Sequence, residues 1–319
     1  MLQIKQNLFE KWLISIIICI EIIWLCTLTI PGEPFGSDIW NFHKFIIADF
    51  AEGKNGMFRP DVVNSQGPYP PLFHILMVPA YLSGNFNGIV LMLQMLLMPL
   101  VTGVISIFVW RFFGPRNAVI VTLLLFLSMG FRDRTSQVIP HTIDMILMPL
   151  IMYSILKAKN KIYAGSTSAM IYNHGLYGFV FLAGTSLFLV FKRRKMLRVL
   201  PLILLVTSPM ILITVTYWNN YMSVPIPPQT IYAWTNPFFD VEYLGFYTIL
   251  GLILFVTSRM TPRLKNDQEK LVMLWVLIAL IPAINQLDRA IAIASVPAAI
   301  LASIGFNESW SKWKGLWRR

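Results

Sequence analysis

The sequence is poor in charge and almost free of cysteine. Charged residues make up 13 % of the 319 residues, whereas hydrophobic residues make up 56 %. Long apolar runs at such a composition are typical of multi-span membrane proteins and exclude an ordinary soluble domain. Cys19 and Cys26 lie in one apolar run, seven residues apart. They share a helix face there, which indicates packing rather than a disulfide framework.

The sequence also lacks the short motifs of metal and nucleotide sites. It has no His-x-x-x-His pair, no closely spaced cysteine pair and no glycine-rich phosphate loop followed by lysine. Soluble ATP or nucleotide-sugar chemistry is therefore unsupported. The net charge of +11 could suggest nucleic acid, but the basic residues fall at the ends of apolar runs. That distribution predicts membrane orientation instead, so we expect membrane lipids and no nucleic acid as partners.

The apolar runs predict an all-α integral membrane protein with about ten transmembrane helices, forming a single domain over residues 1–319. The predicted spans are Trp12–Ile30, Gly88–Trp110, Asn117–Phe131, Pro140–Leu156, Ile162–Asn173, Gly175–Phe191, Leu197–Thr216, Tyr243–Ser258, Leu271–Asn285 and Arg289–Phe306. The span Ile162–Asn173 is short for a full crossing. Glu21 lies inside the first span, where a carboxyl group must be neutral, paired or turned to the bundle interior.

The basic residues predict the orientation of these spans. With the N-terminus in the cytoplasm, 20 of the 26 lysines and arginines fall on the cytoplasmic side. The C-terminus then also lies in the cytoplasm, and we expect a multi-pass cell-membrane protein. The run Pro71–Leu82 is too short to cross, so it predicts a half-inserted helix at the end of a first outer loop, 31–87. The tail after Asn307, with three tryptophans and interleaved bases, predicts a cytoplasmic interfacial anchor.

The first outer loop is the segment around which we expect the function to be organised. From Asp38 to Glu52 the apolar residues favour one face of a short helix on the membrane surface, with Ile39, His43 and Ile46 on that face. A turn rich in glycine and asparagine follows. The loop then ends in a stiff Tyr69-Pro70-Pro71 corner.

The acids, histidines and remaining cations gather on the predicted outer side, and each has a structural alternative. Asp38 could simply cap a helix, and Asp144 could simply complement a helix dipole. Arg289 could be an interfacial cation. His74 and His174 could be core histidines. The segment Arg132–Arg134 could be a solvated loop.

In order and sidedness these residues resemble the type C glycosyltransferases, which use sugars on polyprenyl phosphates. The matching features are Asp38 and His43 in a Ser-Asp-Ile-Trp-Asn-Phe-His run after the first span, Tyr69-Pro70-Pro71-Leu72, Arg134 followed by Asp144 at a helix start, His174-Gly175 between two helices, and a late outer Arg289. The resemblance is strongest over 36–160. Asp38 has no neighbouring second acid and Asp144 is followed by Met145-Ile146, so a divalent metal or other cofactor has no firm support. A Trp-Trp-Asp motif, typical of oligosaccharyltransferases, is missing.

The resemblance implies a membrane enzyme that transfers a sugar from a polyprenyl-phosphate donor to a lipid, glycan or protein acceptor at the extracytoplasmic face. Asp38 and Asp144 are then the catalytic candidates, with Asp38 as the base. The donor phosphate would be bound by Arg289, with Arg134 or Arg132 as a second cation. His43, Tyr69, His74 and His174 are candidate substrate contacts, and no metal ligand is expected. A lipid or lipid-linked-sugar transporter without chemistry is the alternative, and it would also explain Glu21.

Overall fold

The structure, a computed structural model, describes residues 2–29, 39–59, 68–217, 244–258, 264–281 and 287–317. All regular elements in these ranges are helical, and no strand occurs among them, so the predicted helical class is confirmed for this part of the chain. The α-helices are α1 (Leu2–Thr29), α2 (Lys44–Ala51), α3 (Leu72–Leu82), α4 (Phe86–Phe113), α5 (Pro115–Leu127), α6 (Met129–Thr135), α7 (Pro140–Leu156), α8 (Asn160–Lys192), α9 (Leu200–Thr216), α10 (Phe246–Thr257), α11 (Asp267–Leu280) and α12 (Leu287–Trp317). Short helical turns occur at Ile39–His43, Gly56–Phe58 and Arg194–Val199.

Three stretches of the described chain are long and apolar enough to cross a membrane. They are Phe86–Phe113, Arg194–Thr216 and Ile291–Lys314. A fourth results if Met129–Thr135 and Pro140–Leu156, which are separated by a bend, form one span. Such helices are those of a membrane-embedded helical protein. The predicted number of ten spans, and the side of the membrane on which each loop lies, stay predictions.

Contacts divide the chain into two compact units. One, called the site unit below, consists of Leu25–Leu97 and Thr135–Pro225. The other, called the α12 unit, consists of Met1–Trp24, Met98–Arg134 and Ile226–Arg319. The prediction of a single functional domain over 1–319 stays a prediction.

In the site unit, the two helices predicted for the segment 31–87, around 38–52 and over Pro71–Leu82, are present within the residues that the structure describes. A helical turn at Ile39–His43 leads into α2, and Ile39, His43 and Ile46 are buried together on one side. Helix α2 packs against α3, which also meets α8. The predicted helix over Pro71–Leu82 is therefore present as α3, although its insertion into a membrane is untested.

Helix α12 is the centre of its own unit. It packs against α5, α10 and α11, and its residues from Ile291 to Gly305 are all buried. Small side chains allow this close packing, as is common between membrane helices. The tightest point is the crossing of α10 and α12, where a Cβ atom added to Gly305 would overlap the carbonyl oxygen of Gly251 and the backbone nitrogen of Phe255.

The predicted span Asn117–Phe131 is wrong as one continuous helix. Helix α5 ends at Leu127, and the backbone of Ser128 is extended, with ψ of 115°. The Ser128 hydroxyl accepts a hydrogen bond from the backbone N–H of Phe131 at 3.3 Å. Serine thus caps the start of α6, and part of the predicted loop Arg132–Ile139 is helical as a result.

The last helix also differs from its predicted bounds. Helix α12 begins at Leu287, so Asp288, which was predicted in a turn before the last span, lies in the first turn of the helix with Arg289. It then continues without interruption to Trp317, through the segment predicted as a separate tail. Within that segment the rings of Trp310 and Trp313 stack at 5.2 Å and both are exposed.

Candidate functional site

Two histidines of the first outer loop form a buried hydrogen-bonded pair. His43 lies at the end of the turn before α2, and His74 lies in the first turn of α3. Their atoms Nδ1 of His43 and Nε2 of His74 are 3.0 Å apart. The other ring nitrogen of His74, Nδ1, is 3.1 Å from the carbonyl oxygen of Pro70. A carbonyl oxygen only accepts, so Nδ1 of His74 donates to Pro70.

Burial fixes the protonation of this pair. Desolvation lowers the pKa of His74 to about 4, against the opposing effect of the hydrogen bond to Pro70. A neutral His74 that donates from Nδ1 must accept at Nε2, and therefore His43 donates to it. The rings of Tyr69 and Phe73 pack against His43 at centroid distances of 5.4 Å and 5.3 Å. The pair is thus oriented by both hydrogen bonds and aromatic packing.

A carboxylate–imidazole pair joins α7 to α8. Nδ1 of His174 lies 2.6 Å from Oδ2 of Asp144. The Asn173 amide donates to Oδ1 of Asp144 at 2.8 Å and to the carbonyl oxygen of Pro140 at 2.8 Å. Asp144 is fully buried, while 19 % of the His174 side chain is exposed. In this pair the imidazole, not the carboxylate, is the group that a substrate could reach.

The second half of the site depends on a break inside α8. At His174 and Gly175 the backbone leaves the helical conformation, and Gly175 adopts φ of 36° and ψ of −111°. This confirms the predicted division of the segment into two helices at this dipeptide. Glycine alone adopts such a conformation without strain. A Cβ atom at Gly175 would also lie only 3.1 Å from Cγ of Pro70.

The contact between Pro70 and Gly175 links the two histidine groups. On one side, Pro70 accepts the hydrogen bond of His74, and on the other, Gly175 follows His174 directly. The resulting cluster, called the histidine site below, contains His43, His74, Pro70, Gly175, His174 and Asp144. Two further rings lie against His174, namely His141 at 4.2 Å, edge-on, and Tyr177 at 5.7 Å.

No family model matches the chain, and no curated protein matches it either. The site is therefore interpreted from its own geometry.

The structure brings together five of the predicted site residues. His43, Tyr69, His74, Asp144 and His174 all lie in the site unit. Asp38 lies outside the described residues. Arg289 lies in the first turn of α12, but its side chain is also outside the described part of the chain.

Arg132 and Arg134 lie in helix α6 of the α12 unit, so the alternative that they belong to a solvated loop is wrong. Arg132 is half-buried, with its guanidinium 5.0 Å from the Trp24 ring and 5.9 Å from the Phe126 ring. Arg134 is buried and pairs with Asp133 at 3.5 Å. Aromatic faces can hold a cation in this manner.

Three residues of the site were not predicted from the sequence. Asn173, His141 and Tyr177 all surround His174, and only Asn173 had a local signal, since it precedes the His-Gly dipeptide. Among the described residues, no three histidine, cysteine or acidic side chains converge closely enough to hold a metal ion. What the histidine site offers chemically is hydrogen bonding and proton transfer.

Proposed function

We propose that the protein is a membrane glycosyltransferase, which transfers a sugar from a polyprenyl-phosphate donor to an acceptor hydroxyl at the extracytoplasmic face. The observation that carries the proposal is the histidine site. It connects the first outer loop, through Pro70 and Gly175, to the Asp144–His174 pair. The resemblance to type C glycosyltransferases places its substrates at these same segments.

The chemistry of the site suits such a transfer. Attack on a sugar carbon by a hydroxyl group requires a side chain that accepts the hydroxyl proton. His174 backed by Asp144 can do so, and Asp38 is the candidate that the family resemblance implies. No metal is needed for this step, because proton transfer to a side chain generates the nucleophile.

A fixed cation would stabilise the departing phosphate. Arg132 is a candidate, because it is held over the rings of Trp24 and Phe126. Its Nε atom is buried and makes no hydrogen bond to any residue that the structure describes. A guanidinium in that state retains donors for phosphate oxygens. Arg289 and Arg134 are the other candidates that the sequence gives for binding the phosphate.

The test is transfer by the purified protein in detergent. It would be incubated with radiolabelled polyprenyl-phosphate hexoses and with lipid, glycan and peptide acceptors, and label in the acceptor would be counted. We expect transfer by the wild type and by Tyr163→Phe, which removes a buried hydroxyl that is hydrogen-bonded to Thr185 within α8. Asp144→Asn should lose ~10²-fold or more. Absence of transfer and of donor cleavage with every donor would refute the proposal.

A lipid-linked-sugar transporter is the second candidate, and two observations favour it. Helix α8 is broken at His174-Gly175, and broken helices line many transport sites. In the α12 unit, fully buried Glu21 accepts a hydrogen bond from Thr102 at 3.1 Å. Flux of a fluorescent polyprenyl-phosphate sugar across liposomes, without its cleavage and unchanged in Asp144→Asn, would support transport instead.

A further inference from the structure

We propose that His174 is the side chain that takes the acceptor proton and that Asp144 acts as its positioning residue. The inference rests on the proposed glycosyl transfer and deepens it. It differs from the role that the family resemblance implies for Asp38, and from a direct role for Asp144. The argument comes from burial, from the hydrogen bonds of the pair and from the groups around it.

Burial decides which member of the pair meets the substrate. Asp144 has no exposed surface, whereas His174 is half-buried. The other three histidines, His43, His74 and His141, are all buried. A proton can therefore pass directly from an acceptor hydroxyl to His174, and to Asp144 only through it.

The hydrogen bonds decide which nitrogen is reactive. The Asp144 carboxylate is 2.6 Å from Nδ1 of His174, and it also accepts the Asn173 amide at 2.8 Å. Oδ1 of Asp144 accepts from Asn173, and Oδ2 as the acceptor of the second bond holds the proton of His174 on Nδ1, which leaves the lone pair on Nε2. The same carboxylate stabilises the imidazolium that forms after proton uptake, as in carboxylate–histidine pairs of hydrolases.

The break at Gly175 keeps this imidazole in place. His174 is the first of the two non-helical residues, and Gly175, the second, is packed against Pro70 of the first loop. The position of the imidazole ring is therefore fixed by the backbone at the break. Tyr177 adds a second feature that indicates a ligand, because it is buried and its hydroxyl makes no hydrogen bond to any described residue.

The transfer balances with these groups. The acceptor O–H bond breaks, its proton goes to Nε2 of His174, and the oxygen forms a bond to the anomeric carbon of the sugar. The bond between that carbon and the phosphate oxygen breaks, and its electron pair leaves with the polyprenyl phosphate. The imidazolium is paired with Asp144 until the proton is released to water. Asp38 would then bind sugar or acceptor hydroxyls rather than take the proton.

Among the residues that the structure describes, few titratable groups lie against His174. The titratable side chains that face His174 are Asp144 and His141 of α7 and Tyr177 of its own helix. At the break, the nearest residues from the first loop and α9 are Pro70 and Met210, which do not titrate. A fall in the transfer rate at low pH, called the acid limb below, can thus be assigned to one side chain by single substitutions.

The activity test measures transfer against pH in wild-type protein and three variants. A base works unprotonated, so transfer by the wild type should fall as the pH is lowered. His174→Gln should reduce the rate by ~10²–10⁴-fold and abolish this acid limb. Asp144→Asn should lower the rate and keep the acid limb, because Asp144 positions the imidazole and does not itself take the proton. Asp38→Asn should keep the limb. Loss of the limb in Asp38→Asn and its retention in His174→Gln would overturn the proposal.

A second measurement does not depend on transfer. Diethyl pyrocarbonate acylates unprotonated, accessible imidazole nitrogens, and mass spectrometry reports the rate for each histidine in the intact protein in detergent. We expect His174 to react fastest of the four, and more slowly in Asp144→Asn because the tautomer is no longer fixed. Tyr163→Phe should match the wild type. If His174 reacts no faster than His74, the proposed pair is wrong even where transfer is observed.

The two measurements separate the possible failures. If no donor is cleaved, the proposed function is wrong. If His174 is nevertheless the most reactive histidine and its reactivity depends on Asp144, the activation of the imidazole by Asp144 is supported. If sugar is transferred but His174→Gln transfers it at the wild-type rate, the proposed function is supported and a residue other than His174 takes the acceptor proton.

Discussion

Replacing Gly175 by alanine should damage the histidine site, because the backbone conformation and the neighbouring Pro70 both oppose a methyl group there. The backbone of Gly175 has φ of 36° and ψ of −111°, a conformation that side chains with a Cβ atom rarely adopt. The added methyl would also lie 3.1 Å from Cγ of Pro70, closer than ordinary van der Waals contact. The backbone strain and the close contact with Pro70 therefore both make Gly175→Ala unfavourable.

The expected cost follows from these two effects. A residue held in a sparsely populated backbone region costs about 1–3 kcal/mol, and overpacking a buried contact costs about 1–3 kcal/mol more. Partial relaxation of the first loop should reduce the sum, so we expect Gly175→Ala to lose about 2–4 kcal/mol of stability. Any relaxation moves Pro70 away from the break, so transfer activity should fall as well.

Gly165 in the same helix provides a matched control. A Cβ atom at Gly165 would have no other atom within 4 Å, and its backbone is helical. Gly165→Ala should therefore stabilise the protein by about 0.5–1 kcal/mol through helix propensity. Thermal unfolding in one detergent should move the two alanine variants in opposite directions. Equal midpoints, or a more stable Gly175→Ala protein, would refute the assigned break in α8.

Three further predictions concern orientation, the phosphate and pH. Cysteine introduced at Pro227 should be labelled from outside intact cells and cysteine at Asn266 should not; labelling at Asn266 would contradict the proposed topology. Arg289→Lys should lower turnover while expression stays normal, because lysine lacks the planar guanidinium that can bind two phosphate oxygens. Arg289→Ala should weaken donor binding by about 1.5–3 kcal/mol. Full activity in both variants would show that Arg289 does not bind the donor phosphate. The folded protein keeps His74 neutral down to about pH 4, whereas the unfolded chain takes up a proton below about 6.5. The free energy of unfolding should thus fall by up to about 3 kcal/mol as the pH drops through this range. The fall should be smaller in His74→Gln. An identical dependence of stability on pH in the wild type and in His74→Gln would contradict this prediction.

Local patterns were sufficient to predict much of the first outer loop. The helical spacing of Ile39, His43 and Ile46 indicated their common buried face, and the Tyr69-Pro70-Pro71 corner indicated where the next helix begins. Such features depend on neighbours a few residues away, which is the range that periodicity and turn chemistry report. The helix break at His174-Gly175 was visible for the same reason.

Contacts between distant segments could not be read in this way. The pairing of Asp144 with His174 joins residues 30 positions apart, and it depends on how α7 packs on α8. Arg132 looked like a loop cation because its aromatic partner Trp24 comes from the first helix. Ser128 gave no warning of a helix end, because a single serine is common inside apolar helices and only its hydrogen bond to Phe131 shows that it is a cap.

The energetics of the histidine site argue for function over stability. A buried ion pair is a weak source of stability, and apolar residues of similar volume often stabilise a core as well or better. The protein nevertheless keeps Asp144 fully buried, supplies it with hydrogen bonds from His174 and Asn173, and breaks an otherwise apolar helix at Gly175 to do so. A purely structural contact between α7 and α8 would need none of these features. They are, however, what a half-buried imidazole requires if it is to stay oriented and to exchange protons next to a lipid-borne substrate.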